Sequence, residues 1–433
     1  MPALFLDCSS IWRHPSWNTG IHRVVRNAGR GLLEHSQSRQ LAYQALPVAW
    51  DERGQCRQLR HIPTKSDRPL SAVMDPIRPE PGDCYLALDA GWDHQPLRRL
   101  SSWWLAGVVM GVVQYDVVPL EYPSTCASAV TQAFERWFAE AAAFADFHAC
   151  VSRSTLAGVR RQLQLRHPWR TIDGDSAFSF RLGSNFLGTA DPQRPSSTLG
   201  LIFNPGRRVF LSIGALEPRR KNQALILDAF DMLWEHGCRD ELLLIGVKGW
   251  QAEGLVRRIT RHAEWGRRLH WRESVTDEDL AFAYSNATGI IAASVDEGAA
   301  LPLVEAGGLG VRLFASDIPI FHEIAGDRAQ YFHRRKPEAL AALLQDASLG
   351  SSAVADRREP PAPWASWGDS TDELMEGLAR VATVKRDLRQ RMRRSTRILA
   401  DARRLLPAGR SGTSLASGLE QAATTTRSSW RGE

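Results

Sequence analysis

Two rhythms of apolar and polar residues organise this chain. In the first half, short apolar runs at 4–7, 84–88, 107–113 and 148–151, with a further one at 42–47, predict strands, and 31–34 and 127–145 carry helical spacing. A polar, Pro-bearing stretch at 189–208 then interrupts the pattern and reads as a linker. The second half restarts with a buried strand at 209–213 that runs into Gly214. Helix 224–235, strand 241–245, helix 252–262, strand 268–271, helix 277–285 and strand 290–293 follow, and a helical pattern opens at Leu301-Pro302. Short, mostly apolar strands alternating with helices predict an α/β chain of two doubly wound, Rossmann-like domains. In such folds ligands bind beyond the carboxyl ends of the strands.

After 346 the chain turns rich in Ser, Pro and Ala, and Trp367-Gly-Asp-Ser-Thr reads as a helix start with Asp369 or Ser370 as cap. Beyond it, Val384, Leu388, Met392, Leu399, Ala402 and Leu406 form an apolar stripe among arginines. This helix suits either an anionic membrane surface or packing on its own protein. Residues 409–433 have the composition of a disordered tail.

The 433 residues, 43% of them hydrophobic, suffice for two or three domains with sizeable cores. The opening Met1-Pro-Ala-Leu-Phe-Leu-Asp-Cys reads as a first strand rather than a signal peptide, and no apolar run reaches the length of a bilayer span. Six scattered cysteines without Cys-x-x-Cys or companion His spacing argue against a zinc site and a disulfide framework, so a cytoplasmic location is expected. The net charge of +6 suits anionic partners, but no nucleic-acid-binding motif accompanies the arginines, so no nucleic acid is expected.

Candidate chemistry concentrates in Ser294-Val-Asp-Glu-Gly-Ala-Ala-Leu-Pro-Leu-Val-Glu305, a loop that leaves a buried strand and opens a helix. Glu297 on the loop and Glu305, about one turn into the helix, are placed to accept hydrogen bonds from sugar hydroxyls and a ribose diol. The backbone amides at such a helix start favour an anion. Gly214-Ala-Leu-Glu-Pro-Arg-Arg-Lys-Asn222 sets three cations beside another strand end, where Arg220 and Lys221 are suited to stabilising a diphosphate leaving group without a metal. Two Asp-x-Asp strings, at 173–175 and 277–279, are set aside as metal sites. The first has no apolar strand to aim it, and the second reads as the acidic first turn of a helix.

These motifs resemble those of the retaining family 4 glycosyltransferases of the GT-B fold, of the bacterial surface-polysaccharide type. Their pattern Glu-Gly-Phe-Gly-Leu-Pro-x-x-Glu is matched here at Glu297, Gly298, Leu301, Pro302 and Glu305, with Ala299 and Ala300 at the Phe and Gly positions. Ala300 either keeps an ordinary conformation or narrows the pocket by a methyl, and donor choice or activity depends on which. The family's Gly-Thr-Leu-Glu-Pro-Arg-Lys-Asn maps onto Gly214, Arg220 and Lys221, with Arg219 as an insertion, and Gly246-Val-Lys-Gly-Trp250 resembles a loop that lies against the donor, with Lys248 toward phosphate. In the first half, Asn18-Thr-Gly-Ile-His-Arg-Val-Val-Arg26 reads as a loop opening a helix and resembles a Thr-Gly-Ile-x-Arg-Val segment in which Gly20 permits close approach. Gln114-Tyr-Asp-Val-Val-Pro resembles a cleft-lining segment, where Tyr115 is on the acceptor side and Asp116 either orients the acceptor hydroxyl or caps a turn.

The resemblance implies residues 1–188 as the acceptor-side domain, 209–350 as the nucleotide-sugar domain, 351–383 as a closing segment whose helix crosses back, and 384–433 as a basic helix and tail. It implies a metal-independent retaining hexosyltransferase without a cofactor. Glu297, Lys221 and Arg220 would be catalytic; Glu305, Gly298, Ala299, Ala300, Leu301, Gly214 and Lys248 would hold the donor; the acceptor would be a glycan or lipid-linked glycan at the inner membrane face. A sugar-nucleotide epimerase of the same fold and a GT-B protein that binds donor without turnover are the rival readings.

Overall fold

The computed structural model describes residues 1–38, 41–68, 73–92, 100–170, 172, 174, 176–185, 197–204, 206–349 and 364–382. The predicted basic helix, the tail and the string at 173–175 lie wholly or partly outside them.

The first sheet comprises β1 (Ala3–Asp7), β2 (Gln44–Trp50), β3 (Cys56–Leu59), β4 (Val73–Pro76), β5 (Cys84–Ala87), β6 (Val109–Gln114), β7 (Phe147–Cys150) and β8 (Ala177–Ser179). Their spatial order is 4-3-2-1-5-6-7-8. From β2 to β8 all neighbours are parallel, and β3 and β4 add an antiparallel edge. That edge escaped the sequence reading because Cys-Arg-Gln-Leu in β3 is not an apolar run. The second sheet comprises β9 (Val209–Ile213), β10 (Glu241–Ile245), β11 (Leu269–Arg272), β12 (Gly289–Ala292), β13 (Leu313–Ser316) and β14 (Ala329–Phe332). It is parallel throughout, in the order 11-10-9-12-13-14. The chain therefore reverses direction across the sheet between β9 and β12, the switch point beyond which ligands bind in open α/β sheets.

Both faces of each sheet are covered, as its apolar strands require. Leu6, Leu86, Val113 and Ala149 face one core of the first sheet, and Tyr85, Met110, Val112 and Cys150 face the other. The helix opening after the Asn18 loop and the helical stretch at 31–34 are one helix, Gly20–Gln37, capped by Thr19: His22 N–H donates to Thr19 Oγ1 at 3.5 Å, and the His22 ring closes the reciprocal contact. Within the stretch read as a linker, a short helix Ser197–Gly200 places Leu199 and Ile202 in a core of the second sheet.

The closing helix, Trp367–Ala382, crosses to the first sheet and buries Leu374, Leu378 and Val381 in its core. Its cap falls on Ser366, one residue before the helix, and Asp369 returns the bond to Ser366 N–H at 2.7 Å, which corrects the assignment of Asp369 or Ser370 as the cap. All six cysteines lie among the described residues and are free thiols. No helix among the described residues is long and apolar enough to cross a membrane.

Candidate active site

The loop after β12 and the turn after β9 meet at the switch point. Val295 N–H donates to the Arg220 carbonyl at 2.8 Å, which ties one loop to the other. Glu297 is thereby brought against Lys221, whose ammonium donates to Oε1. Ser294 Oγ donates to the same oxygen at 2.7 Å, and Arg220 Nη1 lies 3.6 Å from Oε2. Burial alone would raise the Glu297 carboxyl, but Lys221 and Arg220 outweigh it and hold the group below the ordinary carboxylate range. A second carboxylate, Glu217, accepts from Arg220 Nε at 2.6 Å. The segment read as carrying an inserted residue forms a tight turn: Arg220, Lys221 and Asn222 all donate backbone N–H to Glu217 O, and Asn222 takes φ 56°. Arg219 points away, to the Ser124 carbonyl of the first sheet's domain at 3.4 Å.

Ala300, the N-cap of helix Leu301–Gly308, has φ 43° and ψ 56°. It occupies the left-handed region that a glycine would reach freely, so the departure from the motif leaves the backbone on the left-handed path. That conformation costs an alanine about 1–2 kcal/mol. Ala300→Gly is therefore expected to raise stability by up to about 1 kcal/mol once glycine's larger unfolded-state entropy is subtracted. Chemical denaturation of the two proteins checks this, and a variant less stable than the parent would show that the methyl's packing outweighs the strain.

Gly298 meets the other domain. A Cβ there would lie 1.7 Å from the Tyr115 carbonyl oxygen, and its own carbonyl accepts from Ser152 Oγ at 2.7 Å and Thr155 Oγ1 at 3.2 Å. Ala299 packs against the first domain's core and Leu301 lies within it. All three residues thus contact the first domain. Tyr115 is buried, with its hydroxyl donating to Leu88 O at 2.6 Å. Asp116 accepts from Val118 N–H at 3.0 Å, capping a turn, yet its carboxyl also lies in the field of Arg220, Glu297 and Lys221; burial pushes it upward. Neighbouring Asp296 is pushed up to about 6 by burial, with Asp116, Glu121 and Glu297 adding to the rise. Both readings of Asp116, turn cap and group at the cleft, therefore fit its position.

Glu305 lies beyond the Glu297 cluster and is fully buried. Its carboxylate pairs with Arg23, from helix Gly20–Gln37 of the first domain, and accepts from the Tyr284 hydroxyl at 2.8 Å. Burial drives its pKa up to about 7 against the opposing pull of Arg23 and Tyr284. Neither partner was found from the sequence: Arg23 sat in a quoted segment, but its counterpart is most of a chain away. Gly20 lies at the same contact, 3.5 Å from Leu301 Cδ1 if given a Cβ. Gly214 ends β9 beside Lys221. Lys248 is half-exposed and pairs with Glu253 at 3.0 Å.

Further bonds cross between the domains. Glu323 accepts from Arg153 N–H at 2.6 Å and from Ser154 N–H at 2.7 Å, capping helix Arg153–Arg166, which has no acid in its own first turn. Asp277, from the acidic first turn of helix Asp277–Asn286, accepts from Asn18 Nδ2 at 3.2 Å and pairs with Lys65. Thr276 caps that helix, so the Asp277-Glu-Asp279 string is a helix start. Among the described residues no group of three His, Cys, Asp or Glu side chains forms a metal-holding set.

Over residues 200–359 the chain matches the family model described as glycosyl transferases group 1. It is 27% identical over 387 residues to the serotype-specific mannosyltransferase WbdA of Escherichia coli, covering 88% of this chain and 45% of that protein. The chain thus spans about half the length of this curated relative. It is also 34% identical over 173 residues to the O-antigen chain mannosyltransferase B of Escherichia coli, across 38% of this chain and 44% of the relative. Among solved structures, HepE of Anabaena in complex with UDP and glucose superposes with a TM-score of 0.57 at 15% identity, covering 88% of this chain and 99% of that one. Sucrose-phosphate synthase of Thermosynechococcus elongatus gives 0.54 at 17% identity, covering 93% and 100%. The fold is GT-B, two Rossmann-like domains about a cleft with a helical C-terminal extension.

Proposed function

We propose that this chain transfers a sugar from a nucleoside-diphosphate donor to a hydroxyl of a glycan, with retention of anomeric configuration, and that the sugar is mannose. The observation that carries this reading is the cluster of Lys221, Arg220 and Glu297 at the switch point of the second sheet, beneath Asp116 of the first domain. The cations are fixed by Glu217 and Glu297 before any ligand arrives, so they need little rearrangement to meet the charge that grows on a leaving diphosphate. Glu297 holds the transferred sugar and Glu305 the ribose. The names of the relatives support mannosyl transfer to a surface glycan. The left-handed backbone at Ala300 supports turnover over a binding-only protein, because it leaves the helix-opening loop unremodelled.

Retention fits attack on the face that the diphosphate leaves, with the leaving phosphate taking the acceptor proton. That route requires no separate protein base. Arg220 and Lys221 then do the work that a divalent ion would do, so turnover should persist in excess chelator. Abolition by chelator and recovery with a divalent ion would refute this part. The primary test is nucleotide release from a panel of GDP-, UDP- and ADP-linked hexoses, with and without manno-oligosaccharides, followed by NMR of the product. Acceptor-dependent release from GDP-mannose with an α-linked product is expected. No acceptor-dependent release from any donor would overturn transfer, an isomerised sugar from donor alone would favour the epimerase, and a β-linked product would overturn retention.

A further inference from the structure

A second constellation lies in the loop before helix Gly20–Gln37, beside contacts that join the two domains. Arg26 on that helix is 95% buried by its 5% exposure, and it is aimed at backbone. Its guanidinium donates to Pro15 O at 2.5 Å, Trp17 O at 2.9 Å and Pro63 O at 3.2 Å, with Asn18 Oδ1 at 3.4 Å. A buried guanidinium is a costly way to shape a surface loop, so what the loop presents is held firmly.

It presents an aromatic plate. Trp17 is 50% exposed, the most exposed tryptophan among the described residues, and it stacks on the His14 ring at 4.0 Å between centroids and 13° between planes. The His22 ring lies tilted to Trp17 at 5.8 Å between centroids, and the neighbours Ser16 and Thr19 are exposed and polar, so the plate is small and set within a polar rim. An apolar protein contact or a bilayer would call for a broader patch. The loop also touches the second domain: Asn18 bonds to Asp277, and Gly20 abuts Leu301. The plate is therefore on the acceptor-side domain and beside the closure of the two domains.

We propose that Trp17, backed by His14, is a saccharide subsite that takes a pyranose ring of the acceptor glycan one or more residues away from the reacting hydroxyl. The assignment of the ligand as acceptor rests on the transferase reading above; the plate's recognition of a sugar does not. The C–H face of a pyranose is apolar and weakly electropositive, and it matches the electron-rich face of an indole. The exposed Ser16 at the rim offers a hydroxyl to those of the sugar. Because Arg26 fixes the loop beforehand, little ordering entropy is lost on binding.

The experiment measures mannotetraose and maltotetraose binding to the full chain by calorimetry and saturation-transfer NMR, for the parent, Trp17→Ala and Trp17→Phe. Mannotetraose should bind about tenfold more weakly to Trp17→Ala, and Trp17→Phe should recover most of the loss. With donor present, the oligosaccharide KM should rise by the same factor while kcat at saturating acceptor holds, a split that general damage to the fold would not give. Equal binding to all three proteins, or no saccharide binding to the parent, overturns the subsite. If the parent turns over no donor yet its saccharide binding still depends on Trp17, the transferase reading fails and the subsite stands.

Discussion

Lys221→Ala should lower kcat by about 100- to 1,000-fold while donor affinity changes little. The reason lies in where charge is during the reaction. In the proposed reaction the diphosphate's charge is spread before bond breaking, with Arg220 beside it; as the bond to the sugar breaks, charge would concentrate on the leaving oxygen, and the Lys221 ammonium would be the group whose interaction strengthens most. Its contact with Glu297 fixes the ammonium in place, and the same contact holds Glu297 ionised. The two side chains act as a unit, so the loss in Lys221→Ala combined with Glu297→Gln should be smaller than the sum of the separate losses, expressed as free energies. Single-turnover and steady-state kinetics on the four proteins measure this. A loss confined to KM would assign Lys221 to ground-state binding, and strict additivity would separate it from Glu297.

Much of this arrangement is legible in local sequence, for a physical reason. A strand of Val-Phe-Leu-Ser-Ile followed by glycine, or of Glu-Leu-Leu-Leu-Ile, is buried on both faces and announces a parallel sheet. The catalytic candidates Glu297, Arg220 and Lys221 sit on turns directly after such strands, so finding the strands locates them. Elements that lack such a signature were missed: the β3–β4 edge mixes polar and apolar residues.

What the sequence could not display is the closure between domains. Gly298, read as a donor contact, also makes room for the Tyr115 carbonyl; Ser152, Thr155 and Glu323 carried no motif, yet they bond across the interface. Such partners are distant in sequence, and no periodicity links them. The consequence for function is that the loop carrying Glu297 is positioned from both sides, so substitutions in the first domain should reach the donor site through Gly298.

The same logic gives the largest stability effect expected in this protein, at Arg23 and Glu305. Arg23→Ala should destabilise the folded chain by about 3–5 kcal/mol at pH 8, because it leaves a fully buried carboxylate without its cation. The effect should shrink as pH falls. Glu305 has its pKa raised from 4.5 to about 7, so its protonated form favours folding; that contribution is complete below about 4.5 and is lost as pH rises through about 7. At pH 5.5 the carboxyl is therefore largely neutral already, and Arg23 has little charge to compensate. At pH 8 the parent relies on the pair, and the variant must either keep an unpaired charge or take up a proton at a cost. Denaturant titrations of parent and variant at pH 5.5 and pH 8 test this, with Arg23→Ala in a Glu305→Gln background as the control in which no charge is left to bury. A gap that is the same at both pH values, or that persists undiminished in the Glu305→Gln background, would mean that Arg23 acts through packing alone. In the proposed reaction the same carboxylate receives the ribose diol, so a nucleotide must share Glu305 with Arg23 or displace it. Nucleotide affinity should accordingly rise as pH increases through about 7, where the ionised carboxylate becomes the dominant acceptor.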